Sequence, residues 1–176
     1  ASLPWPTGTV DVFLENGQPD YTIHEGVAFD HIPVPSGEAI RSGRFGVFYF
    51  GTLSQREAES RSTLMSVLKS HRFDYTFYDI NLRKEFHTRE LIGFSLKSAN
   101  ILKINDHEAM VVSKMFFGEQ LPLETFCRRL SVEFGLLFII ITAAEKGCHI
   151  WFDGSIHHVP ARKVVVADAV GAGDAF

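Results

Sequence analysis

The final stretch of the sequence carries the spacing with the clearest chemical meaning. It reads DAVGAGDAF, from Asp168 to Phe176. Gly171 and Gly173 permit positive φ and remove Cβ bulk, so successive amides of such a loop can form a concave anion site. Asp174 can accept a proton from a hydroxyl while those amides stabilise charge on a transferred phosphoryl group. The alternative is a plain glycine-rich turn in which Asp174 caps a helix.

Polar or small residues also follow three earlier apolar runs. These segments are Asn81-Leu82-Arg83, Asn105 to Glu108, and Ala143 to Gly147. In a parallel α/β sheet, ligands bind beyond the carboxyl ends of the strands. The sequence therefore predicts that these segments and the terminal loop open on one edge of a sheet.

Several of these residues have structural explanations as well as chemical ones. Asn105, followed three residues later by Glu108, is a helix capping pair. The planar fork of Arg83 suits oxyanions, but a single Arg in a loop is more commonly a surface residue. Lys103 lies within a strand pattern, from which its amine either points to phosphates or extends to solvent.

Hydrophobic periodicity predicts the elements that position these residues. The predicted strands are Gly46–Phe50, Phe73–Ile80, Ile101–Ile104, Leu136–Thr142 and Val164–Val166. The predicted helices are Ser54 to about Ser70, Thr88–Lys97, one that begins near Asn105, and Leu123–Glu133. Alternation of strand and helix from residue 46 to 142 predicts an α/β fold with a mainly parallel sheet flanked by helices.

Local signals add detail to this arrangement. The apolar run Gly46–Phe50 predicts a strand buried on both faces. Ser54 and Glu57 form a Ser-x-x-Glu capping box, which places a helix start at Ser54. The Asn16-Gly17 pair predicts a β-hairpin over Thr9–Ile23, and Asp153-Gly154 predicts another between Cys148–Phe152 and Ile156–Val159.

Composition excludes several classes of function. The 176 residues are 45% hydrophobic and 22% charged with a net charge of −4, so we expect a soluble protein that does not bind nucleic acid. The apolar run from Phe134 to Ala144 is too short to cross a membrane. Cys127 and Cys148 show no C-x-x-C spacing and are expected to be apolar fillers in a reduced, cytoplasmic protein.

The motifs together resemble the ribokinase-like sugar kinases of the phosphofructokinase B family. DAVGAGDAF is similar to the family's D-T/S-x-G-A-G-D-x-F segment, and DINLR to its D-x-N-x-R segment. KINDHE is similar to its N-x-x-E segment, and ITAAEKG to its T-x-G-x-x-G segment. TGTVDVFLENGQPDYTI and FYFGTLSQREAESRSTL look most like fructokinases. The segments lie in the family's order along nearly the whole chain.

The resemblance implies ATP- and Mg²⁺-dependent phosphorylation of a hydroxyl on fructose or a related sugar. Asp174 would be the catalytic base, and the amides of Gly171, Ala172 and Gly173 the anion hole. Asn81 and Arg83 would contact the substrate or the transferred phosphate. Asn105 and Glu108 would organise Mg²⁺ indirectly, through water, and Thr142 and Gly147 would line the nucleotide site. The alternatives are a non-catalytic ribokinase-fold regulatory or interaction protein, or a kinase for a nucleoside or 2-keto-3-deoxygluconate.

The resemblance also implies a domain organisation. Residues 1–30 would form part of a small β lid and its connection, and residues 31–176 a partial kinase core. A homodimer through the lid is expected. The sequence lacks the family's N-terminal Gly-Gly segment and the helices after GAGD, so we expect a fragment. Ala144 and Ala169 replace the Gly and Thr/Ser that the family usually has.

Overall fold

The computed structural model describes residues 4–15, 18–35 and 45–163. The chain divides into two compact units, one within residues 1–45 and 53–73 and the other within residues 46–52 and 74–176.

The first unit contains a two-stranded antiparallel hairpin. Its strands are β1, Val10–Glu15, and β2, Gln18–Ile23, paired from Val10 opposite Ile23 to Glu15 opposite Gln18. This confirms the hairpin predicted over Thr9–Ile23. The same unit contains a 3₁₀ turn at Ala28–Asp30 and the helix α1, Ala58–Ser70.

The predicted start of α1 is wrong. Ser54 lies in a separate 3₁₀ turn, Leu53–Gln55, and the helix begins at Ala58 with Glu57 at its N-cap. Tertiary contacts explain the delay, because Gln55 is fully buried and the side chain of Arg56 binds Asp30. These contacts outweigh the local capping signal at Ser54.

Among the described residues of this unit, Asp30 and Arg56 form the most buried ion pair. The guanidinium donates from Nε to Asp30 Oδ1 at 2.7 Å and from its terminal nitrogen to Oδ2 at 2.7 Å. It also donates to the carbonyl oxygen of His24 and lies 4.7 Å from the centre of the Phe29 ring. The Val27 amide donates to Asp30 Oδ2 at 3.2 Å. The pair therefore ties the segment after the hairpin to the residues before α1.

The buried face of α1 extends this polar attachment. Ser60 Oγ donates to the carbonyl oxygen of Phe29 and accepts from the amide of Ile32, both at 2.8 Å. Thr63 Oγ1 donates to the carbonyl oxygen of Ile32 at 2.7 Å. The buried residues of α1 are Ser60, Thr63 and Val67, so two of the three are polar.

Among the residues that the structure describes, the second unit is built on a six-stranded sheet. Its strands are β3, Val47–Gly51; β4, Tyr75–Asp79; β5, Ile101–Asn105; β6, Phe138–Thr142; β7, Cys148–Phe152; and β8, Ser155–Val159. They are ordered β3-β4-β5-β6-β7-β8, with β3 to β6 parallel and the last two antiparallel to their neighbours. The hairpin predicted around Asp153-Gly154 is thereby confirmed.

Three helices pack against this sheet, which confirms the α/β prediction. They are α2, Arg89–Ser98; α3, Asp106–Phe117; and α4, Leu123–Phe134. Thr88 caps α2 by accepting the Leu91 amide at 3.2 Å, and α3 ends at Gly118, whose φ of 78° is left-handed. The buried core of this unit includes Tyr78, Ile80, Ile92, Leu96, Leu102, Ile104, Leu130, Ile139 and Ile141.

The prediction that the first parallel strand is buried on both faces is wrong for the described residues. Phe50 is 4% exposed, but Val47 and Tyr49 on the opposite face are 57% and 60% exposed. Within the described sheet, β3 is an edge strand. An apolar run has no directional information, so it indicates a strand without indicating how many faces are covered.

Cys127 and Cys148 are both buried free thiols, as predicted for apolar fillers. Burial raises the pKa of the Cys127 thiol to about 12, so this residue stays protonated at neutral pH. Among the described helices, none is long and apolar enough to span a membrane.

The Asp30–Arg56 pair predicts a pH-dependent stability. Burial alone would raise the pKa of the Asp30 carboxyl, but Arg56 and the amides of Val27 and Gly26 hold that pKa below its usual range. A carboxyl whose pKa is lowered in the folded state stabilises the fold at pH values above its unfolded pKa of about 3.9. This stabilisation is lost as the pH falls through the folded-state pKa. We expect Asp30→Asn to lower the free energy of unfolding by about 3 kcal/mol at pH 7.

This difference from the wild type should shrink as pH falls below about 4, because the carboxyl of the unfolded chain then becomes protonated, and it should vanish once pH falls through the lower pKa of the folded state. Urea denaturation of the full-length protein at pH 7 and at several acidic pH values measures it. Asp11→Asn is the matched control, since Asp11 forms only an exposed pair with His24 and is expected to contribute less than about 1 kcal/mol. Equal losses for the two variants at pH 7 would contradict the assignment.

Candidate active site

Two opposite charges are buried at the carboxyl end of β4. Asp79 is the last residue of β4 and lies directly opposite Lys103 of β5. The ammonium Nζ of Lys103 lies 2.8 Å from Asp79 Oδ2, and the hydroxyl of Tyr49 donates to the same oxygen at 2.8 Å. Asp79 is 4% and Lys103 8% exposed. The amine of Lys103 does not extend to solvent, because it binds the carboxylate on a neighbouring strand, and its direction toward phosphates stays a prediction.

Ile80, the residue after β4, is hydrogen-bonded through both its backbone amide and its backbone carbonyl. The Ile80 amide donates to the carbonyl oxygen of Lys103 at 3.1 Å. The Ile80 carbonyl oxygen accepts from Thr52 Oγ1, which also lies 2.7 Å from the hydroxyl of Tyr78. Burial raises the pKa of Tyr78, so its phenol remains neutral and serves as a hydrogen-bonding group.

The chain turns out of the sheet at Asn81, one of the predicted substrate-binding residues. Asn81 has a φ of 42°, in the left-handed region that Asn tolerates better than most residues. The next amide, that of Leu82, donates to Glu108 Oε1 at 2.7 Å. Arg83, the other predicted substrate-binding residue, follows with an exposed side chain. The fixed turn therefore presents an exposed guanidinium beside the sheet edge.

Asn105 and Glu108 form the capping pair that the sequence offered as an explanation. Asn105 Oδ1 accepts the Glu108 amide at 2.8 Å, and Glu108 Oε2 accepts the Asn105 amide at 2.9 Å. Glu108 is 6% exposed. Since its other oxygen binds Leu82, one carboxylate joins the N-terminus of α3 to the loop after β4.

The predicted strand-end residues lie along one edge of the sheet. Asn105 is paired with Thr142, the last residue of β6, while Glu108 holds the segment that carries Asn81 and Arg83. The structure thus brings together three of the four predicted segments. Gly171, Ala172, Gly173 and Asp174 lie outside the described residues, as does the predicted strand Val164–Val166. Their roles stay predictions.

Gly147 closes a tight turn between β6 and β7. It has a φ of 92°, and a Cβ at this position would lie 2.1 Å from the carbonyl oxygen of Val159. Its carbonyl oxygen accepts the Ala143 amide at 2.8 Å. In the same turn, Ala144 has a φ of 46°, a conformation that favours glycine. The turn explains Gly147 structurally, and its nucleotide role stays a prediction.

Comparison with known proteins gives the family. Residues 35–176 match the pfkB family carbohydrate kinase. The chain belongs to this family. The ribokinase-like α/β fold implied by its motifs agrees with this membership and with the sheet order described above.

Relatives within the family include sugar kinases and fructokinases. The chain is 25% identical to a putative sugar kinase of Pyrococcus horikoshii, over 97% of this chain and 53% of the relative. It is 28% identical to a fructokinase of Klebsiella pneumoniae, over 66% of this chain and 39% of the relative. The chain therefore spans about half the length, or less, of these relatives.

Solved structures show the same fold. The Pyrococcus horikoshii kinase in complex with ATP matches with a TM-score of 0.78 at 22% identity, covering 99% of this chain and 55% of that one. A fructokinase of Vibrio cholerae in fructose-, ADP- and calcium-bound form matches with a TM-score of 0.77 at 18% identity, covering 99% and 57%.

Sequence reasoning missed Asp79, Tyr49 and Thr52, which make buried or partly buried hydrogen bonds at the end of β4. A signal for Asp79 was available, because a Lys inside an apolar strand needs a buried acceptor. Asp79 opens the D-x-N-x-R segment and ends the neighbouring strand. No local pattern marks Tyr49 or Thr52, whose partners lie about 26 to 30 residues away in sequence.

The turn between β6 and β7 predicts opposite effects for two small substitutions. Ala144→Gly removes left-handed strain of about 1–2 kcal/mol and adds unfolded-chain entropy of about 0.5–1 kcal/mol, so the free energy of unfolding should stay equal or rise slightly. Gly147→Ala forces a Cβ into backbone and should destabilise by about 3 kcal/mol or more. Thermal and urea denaturation of the full-length variants measure both. A destabilised Ala144→Gly variant would contradict the backbone assignment.

Proposed function

We propose that the full-length protein transfers the γ-phosphoryl group of ATP to a hydroxyl of fructose or a related sugar. Family membership supports this reaction class, as do the ATP of the Pyrococcus horikoshii structure and the fructose and ADP of the Vibrio cholerae structure. The observation that carries the proposal for this chain is the alignment of Asn81, Arg83, Asn105 and Thr142 along one sheet edge.

In this proposal, Asp174 accepts the proton of the attacking sugar hydroxyl. The hydroxyl oxygen forms a bond to the γ-phosphorus, and the bond from that phosphorus to the bridging oxygen breaks as ADP leaves. The amides of Gly171, Ala172 and Gly173 stabilise charge on the phosphoryl group during transfer. Phosphoryl transfer depends mainly on positioning and charge stabilisation, so a rigid sheet edge is a suitable support.

Arg83 and Asn81 have complementary roles at this edge. The exposed guanidinium of Arg83 can bind two oxyanions of a phosphate through its planar fork. Asn81 adopts a left-handed backbone conformation, and the amide of the next residue, Leu82, is hydrogen-bonded to Glu108. The backbone of Asn81 is therefore fixed, and its side-chain amide can bind the sugar or the phosphate from a defined position. Thr142 and Gly147 are assigned to the nucleotide side of the site.

The described residues fit an indirect role in Mg²⁺ binding. Within that part of the chain, no group of three or more His, Cys, Asp or Glu residues could hold a metal ion. Each carboxylate oxygen of Glu108 accepts one backbone amide, which leaves each a lone pair for a water molecule. When bound, Mg²⁺ neutralises phosphate charge and keeps several waters, which Glu108 and Asn105 would hold.

The hairpin supports a homodimer. Val10, Val12 and Phe13 of β1 are 48%, 49% and 58% exposed within their unit. A two-stranded hairpin is marginally stable alone, and apolar residues on its surface favour a covering partner. We assign the hairpin as a lid that pairs subunits, in a cytoplasmic sugar kinase.

The assignment of the base predicts a large loss of turnover in Asp174→Asn. Coupled ADP-release assays of the full-length protein, across a panel of sugars with Mg-ATP, should show a kcat lowered about 10²- to 10⁴-fold while sugar binding survives. Asp153→Asn is the control, because it makes the same chemical change at an exposed turn whose φ of 50° Asn tolerates.

Absence of sugar-dependent ADP release from folded wild-type protein would reject the kinase and favour a non-catalytic role. A sugar panel that includes nucleosides and 2-keto-3-deoxygluconate distinguishes the substrate classes. A loss smaller than about tenfold in Asp174→Asn would reject Asp174 as the base.

Glu108→Gln should raise the Mg²⁺ concentration needed for half-maximal turnover about tenfold, as expected for a residue that orients metal-bound water. It should also destabilise the protein by about 1–3 kcal/mol, because the amide nitrogen of Gln must face a backbone N–H. Mg²⁺ titration at constant ATP and thermal denaturation measure the two effects. Glu90→Gln, in the first turn of α2, is the control. Unchanged Mg²⁺ dependence would restrict Glu108 to its capping role.

A further inference from the structure

The buried Asp79–Lys103 pair calls for an explanation beyond stability. Removing two charges from water costs several kcal/mol per ion, and apolar residues of similar size often replace such pairs without loss. The pair nevertheless joins β4 and β5, the two central strands of the parallel part of the sheet. Only 6% of the Asp79 side chain and 10% of the Lys103 side chain are exposed. Its value must therefore lie in the geometry that it imposes.

That geometry joins three strands at one oxygen atom. Asp79 Oδ2 accepts from Tyr49 of β3 on one side and from Lys103 of β5 on the other, each at 2.8 Å. Charge-assisted hydrogen bonds are directional, whereas apolar packing permits small rotations and shifts. The carboxylate therefore centres the end of β4 between its two neighbours.

The same two residues adjoin the first residues beyond the sheet, because Ile80 follows Asp79 in the chain and its amide binds the backbone of Lys103. Lys103 acts twice, through its amine on Asp79 and through its carbonyl oxygen on the amide of Ile80. The carbonyl oxygen of Ile80 binds Thr52, and the amide of Leu82 binds Glu108. Asn81 makes its left-handed turn between these anchors. The Asn81–Arg83 segment thus begins two residues after Asp79, and hydrogen bonds at Ile80 and Leu82 fix its orientation.

We propose that Asp79 and Lys103, assisted by Tyr49, are positioning residues for phosphoryl transfer. They hold the strand end so that Asn81 and Arg83 meet the transferred phosphate in reactive geometry. The kinetic consequence rests on the proposed kinase function, whereas the effect on the backbone does not. A small displacement of a binding group can lower turnover about a hundredfold, so the expected effect is measurable.

The test compares single and double variants of the full-length protein. Asp79→Asn and Lys103→Met each leave one partner buried without its counter-charge, and both should lose thermal stability and turnover. The double variant removes both charges, so it should regain most of the stability that either single variant loses. Its kcat should remain about tenfold or more below that of the wild type, because Asn81 and Arg83 would no longer meet the transferred phosphate in reactive geometry. The KM for ATP should stay within about twofold, because the residues assigned to the nucleotide, Thr142 and Gly147, are unchanged.

Two further variants separate the positioning role from general effects. Tyr49→Phe removes a single hydrogen bond to Asp79 and should lower kcat by a smaller factor than either charge substitution. Lys97→Met makes the Lys-to-Met change at an exposed position of α2 and should leave kcat unchanged. Recovery of wild-type kcat together with stability in the double variant would overturn the proposal, because the pair would then serve folding alone.

Amide hydrogen exchange gives a readout that needs no turnover. In the double variant, the Ile80 and Leu82 amides should exchange about tenfold faster or more, while buried amides of α4 keep their wild-type rates. If the wild type has no kinase activity, this measurement still decides whether the pair holds the strand end. Unchanged exchange at Ile80 and Leu82 would overturn the proposal independently of the kinase function.

Discussion

Every backbone group that leaves the sheet at its carboxyl edge needs a hydrogen-bond partner, and this requirement organises the candidate site. Beyond β4, the amide of Ile80 donates to the backbone carbonyl oxygen of Lys103 in β5. The carbonyl oxygen of Ile80 accepts from the Thr52 side chain, and the amide of Leu82 donates to the Glu108 carboxylate. A buried amide without a partner would cost about 1–3 kcal/mol. The groups that satisfy this backbone, namely the Lys103 carbonyl and the side chains of Thr52 and Glu108, therefore determine where the loop residues lie.

Glu108 shows how one residue serves both structure and a proposed chemistry. Its carboxylate caps α3 and binds the loop after β4, so a charged group is retained at the edge where phosphates would bind. Because its oxygens are already oriented by backbone amides, any water that they hold would also be oriented. The first unit uses related means, since Asp30, Arg56, Ser60 and Thr63 hold a loop through polar contacts.

Much of the fold and part of the site could be predicted from the sequence because the signals are local. The Asn105–Glu108 capping pair, the Asn16-Gly17 and Asp153-Gly154 dipeptides, and the spacing of apolar residues are each signals that extend over a few positions. They locate α2, α3, both hairpins and the strands to within a few residues. Parallel strands then place their carboxyl ends at one edge, which brings Asn105 and Thr142 side by side.

The sequence by itself thus determined the family motifs, the order of the elements and the edge at which polar residues meet. Only the tertiary structure decided the partner of Lys103, the start of α1 and the exposure of one face of β3. The physical reason is that these features depend on groups distant in sequence. Lys103 binds Asp79 and does not extend to solvent. Arg56 binds Asp30 and delays the helix, and Tyr49 lies on an edge strand that an apolar run alone does not reveal.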